Sequence, residues 1–410
     1  MIHLDLKNIP DLSLEGKNLP KLLGDIHTRD QGFYSVIDDE KLLKKIEAFV
    51  DQIKGKYKNI VVLGIGGSAL GTIAIKDCLS NFFVQSFPQL HVLENIDPQF
   101  LHEAIEAFDI EQTLFIVISK SGGTAETLSQ FALFRNEVEK SGHNLQDHFV
   151  VITGNKGLLR EQTIALNLPT FNVPENVGGR FSVLTAVGLL PAALIGIDIR
   201  ALIQGAQTMR EAFVSEDIDR NLPFQLASVQ FLCSKKGQSQ NVLMPYATKL
   251  RTFSAWFAQL LAESTGKVDR KGHHVGLTPI PALGVTDQHS QFQLFAQGPN
   301  DKLILFLTIK NHGKPLPIPI TQDHNKVNFL KNKTFADLLD AEQRATADTL
   351  AEVGRPNLTI EIDQLDAEHL GQLFLLFEGA TAFLGEFMNI NAFNQPGVER
   401  SKELTREYLS

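Results

Sequence analysis

The chain has 410 residues, with 38 Lys and Arg against 47 Asp and Glu and a formal net charge of −9. That balance argues against nucleic acid as the main partner, so a phosphorylated ligand must be met by local positive groups. Only two cysteines occur, Cys78 and Cys233, which argues against a disulfide framework or a thiolate zinc site and fits a reducing cytoplasm.

The length predicts two or three domains. The opening MIHLDLKNIPDL lacks a basic segment followed by an apolar one, so no signal peptide is expected. Residues 1–55 read as an N-terminal helical extension, where Leu42, Leu43, Ile46 and Phe49 keep helical spacing. Asn59 to Leu63 is the first apolar strand. It runs into Gly64-Ile65-Gly66-Gly67-Ser68-Ala69-Leu70-Gly71, close to the dinucleotide fingerprint G-x-G-x-x-G but with Ala69 in place of the third glycine. A second strand, Leu90 to Leu93, leads to Glu94-Asn95-Ile96-Asp97, where an acid would also suit a ribose contact.

Leu114 to Ile118 is almost uninterruptedly apolar, as a parallel strand buried on both faces reads. It breaks into Ser119-Lys120-Ser121-Gly122-Gly123-Thr124, after which Leu128, Phe131 and Ala132 mark a helix. A strand feeding a Ser/Gly/Thr loop that opens a helix suits an anion: glycines let amides approach, and the helix start carries partial positive charge. No GxxxxGK[ST] is present, so the ligand read here is a small phosphate ester rather than ATP. A hydroxyl-capped turn fits the same residues. A further strand spans Phe149 to Thr153. Alternating strands and helices predict an α/β fold with a doubly wound parallel sheet, its ligands beyond the carboxyl ends of the strands.

In Val177-Gly178-Gly179-Arg180-Phe181-Ser182 the glycines leave room for a guanidinium, which fits a phosphate or a developing oxyanion as well as an ordinary surface loop. The longest uncharged apolar run, Phe181 to Ile197, is short for a membrane span and holds Pro191; it reads as a buried helix.

A second unit begins near residue 220. Asn241 to Met244 is a strand, and the helix after it places Phe253, Trp256, Phe257, Leu260 and Leu261 on one face before stopping at Gly266. Glu263 falls in its last turn. The macrodipole disfavours negative charge there, which suits a general base near neutrality, although solvated glutamates are common at helix ends. Pro279 and Pro281 read as loop. His289, in the polar stretch Gly284 to Ser290, is a candidate acid–base group. Leu303 to Ile309 and Leu358 to Ile362 read as strands, with residues 310–326 exposed between them. Leu370 to Phe387 is a long apolar helix and Glu399 to Tyr408 a charged terminal one.

Taken together, GIGGSALG at 64–71, ISKSGGTAET at 118–127, VGGRFSVLTAVG at 177–188, AESTGK at 262–267, TDQHSQFQL at 286–294 and FNQPGVERSKEL at 393–404 resemble the phosphoglucose isomerase (glucose-6-phosphate isomerase) family. The resemblance covers nearly the whole chain from about residue 58. It implies two SIS-type α/β domains, at 56–215 and 216–385, and a C-terminal arm at 386–410. It also implies a homodimer with shared active sites, no cofactor, no membrane, and a place in glycolysis and gluconeogenesis. Carried over by position, Gly67 and Ser68 line the sugar site, and Ser119, Lys120, Ser121 and Thr124 hold the phosphate. Arg180 faces an enediolate, and Glu263 moves the proton between C2 and C1. His289, from the partner subunit, opens the ring; Gln395 and Lys402 close the site, with Lys402 sharing the ring opening. The chain departs from the family at Gly123, where many relatives place threonine, and at Asn394, where aspartate is frequent. It departs from animal relatives at Pro396, Arg400 and Ser401.

Overall fold

A computed structural model describes residues 2–10, 18–84, 86–320 and 326–410. In chain order the strands are β1 (Ile2–Asp5), β2 (Asn59–Leu63), β3 (Gln89–Leu93), β4 (Thr113–Ser119), β5 (Phe149–Thr153), β6 (Thr170–Asn172), β7 (Gln240–Pro245), β8 (Lys267–Val268), β9 (His274–Val275), β10 (Thr278–Pro281), β11 (Lys302–Ile309) and β12 (Asn357–Ile362). Contacts divide the chain into two compact units. The glycine-loop unit consists of Ile26–Glu211 with Leu370–Glu378, and the second unit of Met1–Asp25, Ala212–His369 and Gly379–Ser410.

The glycine-loop unit is built on a five-stranded sheet of order β3-β2-β4-β5-β6, parallel throughout. All seven residues of β4 are buried, which is why its sequence shows no polar alternation. On one face Phe115 stacks on Phe134 and Phe149 at ring-centroid distances of 4.8 and 5.3 Å, with Phe131 edge-on to Phe149. Each such ring contributes about 1.5–3 kcal/mol by leaving water. The chain winds from β2 outward to β3 and then back across to β4. The sheet therefore reverses direction between β2 and β4, the point where ligands of doubly wound sheets bind. Ser119 ends β4 level with Thr153 of β5, which lies opposite Asn172 of β6. The three loops that follow leave the sheet from one edge.

The second unit has the order β1-β12-β11-β7-β10, parallel except for β1, which runs antiparallel to β12 at one border. Val242, Met244, Tyr246, Ile304 and Phe306 form one core there. The helix Arg251–Thr265 buries Phe253, Trp256, Phe257, Leu260 and Leu261, the face its sequence predicts. The helix Ala367–Phe387 contributes Leu370–Glu378 to the glycine-loop unit and its later turns to the second.

Three sequence readings change. Thr278–Pro281, read as loop, is a strand beside β7. It tolerates two prolines because it is at the border of its sheet, where alternate residues need no partner. The run Phe181–Ile197 is not one helix. Gly179–Phe181 is a 3-10 turn, and the helix spans only Ala186–Leu194, starting where the Thr185 hydroxyl accepts from the Val187 amide at 3.2 Å. Ile2–Asp5, which carries too few residues to declare itself, pairs with a strand more than three hundred residues away. Residues 310–317 are exposed as expected, while 321–325 lie outside the described residues. Among the described residues no helix is long and apolar enough to cross a membrane.

Candidate active site

The loop after β4 gathers three hydroxyls. Ser119 Oγ lies 2.9 Å from Thr124 Oγ1, and Ser121 Oγ lies 3.4 Å from the same atom. Thr124 is the N-cap of the helix Ala125–Lys140, yet its side chain makes no capping bond. Its hydroxyl faces the loop instead. The first amides of a helix have no intrahelical acceptor and carry its partial positive charge. Hydroxyls and a helix start thus occupy one short loop, the donor set an oxyanion needs.

Backbone geometry holds this loop in place. Gly122 adopts φ +66°, open to glycine at little strain. Gly157, on the loop after β5, has φ +99°, and a Cβ there would come within 2.4 Å of the Ser121 carbonyl. The Gly154 amide donates to the Lys120 carbonyl at 3.1 Å, the Leu159 amide to the Gly122 carbonyl at 2.9 Å, and the Thr153 hydroxyl to the Ser119 carbonyl at 2.6 Å. Residues 154–159 therefore buttress the anion loop. Sequence reading missed this role, although the glycines at 154 and 157 were its visible signal.

The other two candidate loops of the same unit touch. A Cβ on Gly67 would lie 2.4 Å from the carbonyl carbon of Gly179 and 2.7 Å from the amide nitrogen of Arg180. Ser182 Oγ donates to the Gly179 carbonyl at 2.7 Å. Ser68 ends the 3-10 turn Gly66–Ser68 and is partly exposed. Arg180 is only 3% exposed, so this is no solvated surface arginine, and its guanidinium carbon sits 5.6 Å from the centre of the Phe181 ring. Lys120 places its ammonium on backbone carbonyls: Nζ donates to Glu175 O at 2.8 Å and to Val177 O at 2.6 Å. Burial pushes its pKa down, against the pull of Glu175.

The second unit carries the remaining candidates on separate elements. Glu263, half-buried in the last turn of Arg251–Thr265, accepts from Gln259 Nε2 at 3.0 Å. The helix ends at Gly266, whose amide donates to Ala262 O at 3.0 Å. Lys267 reaches back to the carbonyls of Glu263 and Ser264, which sets a cation against the negative end of the helix. His289 is exposed at the end of the 3-10 turn Thr286–His289. Asp287, unremarked in the sequence, anchors that turn: its carboxylate accepts from the Leu283 amide at 2.7 Å and the Ser290 hydroxyl at 2.5 Å. Burial pushes the Asp287 pKa up, but these donors, together with Gln291 and the charge of Arg251, outweigh it and hold the carboxyl below its usual range. Tyr246 OH donates to Gln288 at 2.7 Å, and Gln288 donates to Glu342 at 2.9 Å, which fixes the residue next to His289. Gln395 and Lys402 are exposed, Lys402 beside Glu399 at 2.8 Å on the helix Glu399–Leu409.

Comparison with known proteins places the chain in a family. A profile described as phosphoglucose isomerase matches residues 31–410. The glucose-6-phosphate isomerase of Carboxydothermus hydrogenoformans is 41% identical over 383 residues, which cover 90% of this chain and 82% of that protein. Among solved structures, a hypothetical protein from Thermus thermophilus superposes with a TM-score of 0.93 at 35% identity, covering 100% of both chains. A glucose-6-phosphate isomerase from Chlamydia trachomatis superposes with a TM-score of 0.79 at 26% identity, covering 98% of this chain and 80% of that one.

Proposed function

The chain belongs to the phosphoglucose isomerase family, and from that premise we propose that it interconverts glucose 6-phosphate and fructose 6-phosphate by an enediolate route. The observation that carries this reading is the anion loop Ser119–Thr124, closed by three converging hydroxyls at a helix start, in the unit that also holds the buried Arg180. Phosphate contacts are the same in substrate, intermediate and product. Their binding energy positions the sugar without being consumed by the reaction.

In this reading Ser119, Ser121 and Thr124 hold the phosphate, with main-chain amides of the loop. Gly67 and Ser68 line the sugar. His289, supplied by the partner subunit of a homodimer, donates a proton to the ring oxygen as the C1–O5 bond breaks and the C1 hydroxyl gives up its proton, so the pyranose opens with no net gain of protons; Lys402 shares this transfer, and Gln395 closes over the sugar. Glu263 removes the proton from C2 of the open aldose and returns it to C1. The hydroxyl and carbonyl oxygens exchange their proton, so the sum is an isomerisation with no net oxidation. Arg180 stabilises the negative charge that develops on the oxygens between these steps. A cytoplasmic location is part of the same proposal.

Proton NMR tests it. Purified protein with glucose 6-phosphate in deuterium oxide, with EDTA present and no nicotinamide, is expected to form fructose 6-phosphate, with deuterium entering C2 of the aldose pool. Unchanged substrate under these conditions would overturn the activity, and sugar-phosphate binding by calorimetry would then identify a sensor.

A further inference from the structure

Lys120 lies between two serines of the anion loop, where an ammonium is expected to meet the phosphate directly. Its geometry is different. An ammonium has three donors, and two are engaged by the carbonyls of Glu175 and Val177. These carbonyls belong to the turn Pro174–Val177, closed by the Val177 amide on Pro174 O at 3.2 Å. The Asn176 carbonyl between them accepts from the Gly32 amide at 2.9 Å. Two residues after this turn the chain reaches Gly179, packed on Gly67, and then Arg180. Gly67 therefore bounds the arginine loop directly, and Lys120 ties its approach to the loop that carries the three hydroxyls. We infer that Lys120 is a positioning residue for Arg180, holding the arginine loop in register with the anion loop. This rests on the isomerase reading above and adds a division of labour within it: hydroxyls and amides bind the phosphate, and the lysine places the arginine.

The test compares Lys120→Met, which keeps the stem and removes every donor, with Lys120→Arg, which keeps the charge and can still reach carbonyls. Lys120→Met is expected to lower kcat by about 10²-fold, the loss that accompanies misplacement of a reacting group by about an ångström. The inhibition constants of inorganic phosphate and of glucitol 6-phosphate should stay within about fivefold of wild type, the effect of a nearby screened charge. Lys120→Arg should recover most of kcat. A double-mutant cycle with Arg180→Gln should be strongly non-additive, because a lysine that acts through the arginine has little left to do once the arginine is gone. Full kcat with a weakened phosphate constant would overturn the proposal in favour of a direct phosphate contact, as would additive losses in the cycle. Hydrogen exchange at residues 175–181 reads the tie without turnover. Faster exchange in Lys120→Met supports it and unchanged exchange sinks it, even if wild-type protein proves inactive and the isomerase reading fails on its own.

Discussion

Gly67 has no room for a side chain: its missing Cβ would fall between Gly179 and the amide of Arg180. Gly67→Ala is therefore expected to push the arginine loop away and lower kcat/KM by about 10²-fold, with far-ultraviolet circular dichroism unchanged. Wild-type kinetics in that variant would show that the Arg180 backbone position is unimportant. Glu263→Gln removes a proton acceptor and keeps the shape. Its expected signature is a loss of about 10³-fold or more in kcat with inorganic phosphate inhibition preserved, and equal loss of both would remove glutamate from the base role. The place of Glu263 in a last helical turn was legible because a helix stop is a local signal: Gly266 follows it by three residues and caps the helix as read. The hydroxyls of Ser119, Ser121 and Thr124 were legible for the same reason, since one short loop holds all of them. Lys120 was not. The carbonyls that hold it lie 55 and 57 residues further on, and no pattern inside the loop announces them.

The helix Ala367–Phe387 presents a different kind of element, apolar nearly throughout but with Glu378 fully buried and both carboxyl oxygens without a hydrogen-bond partner among the described residues. Desolvation raises its pKa well above the ordinary value, so the folded chain keeps its proton at pH values where the unfolded chain has released it. Between the unfolded pKa and the raised folded one, this group makes stability fall as pH rises, by about 1.4 kcal/mol per pH unit. Glu378→Gln cannot titrate. Urea midpoints followed upward in pH from the ordinary carboxylate range should therefore fall more steeply for wild type than for the variant, whatever the offset between them, and parallel profiles would refute the buried protonated carboxyl. Among the elements, sequence reading located the buried parallel strands and the amphipathic helices because burial on two faces or on one stripe leaves a continuous or periodic apolar trace. It lost β1 and β10. The partner of β1 is at the far end of the chain, and the prolines of β10 imitate a loop.

At the scale of the molecule, each unit supplies only part of the proposed constellation: Gly67, Ser68, Ser119, Ser121, Thr124 and Arg180 in one, Glu263, His289, Gln395 and Lys402 in the other. If His289 serves the partner's site, two inactive variants must complement each other. Mixing His289→Ala with Glu263→Gln, unfolded and refolded together, should restore about a quarter of wild-type activity, because half of the dimers are hybrids and each hybrid has one intact site. Mixtures as inactive as their parents would mean that each chain completes its own site. The border strand β10 has a consequence for the same population of chains. Its Thr278 and Ala282 amides donate inward, to Ser239 O and Leu243 O, each at 3.0 Å. In a parallel strand, residues of the opposite parity face outward, and here these are Pro279 and Pro281, which have no amide to offer. A foreign strand arriving at this rim meets oxygens and no donors. This rim of the sheet is closed to growth by its composition, so crowded copies can collide at β10 without zippering into fibres.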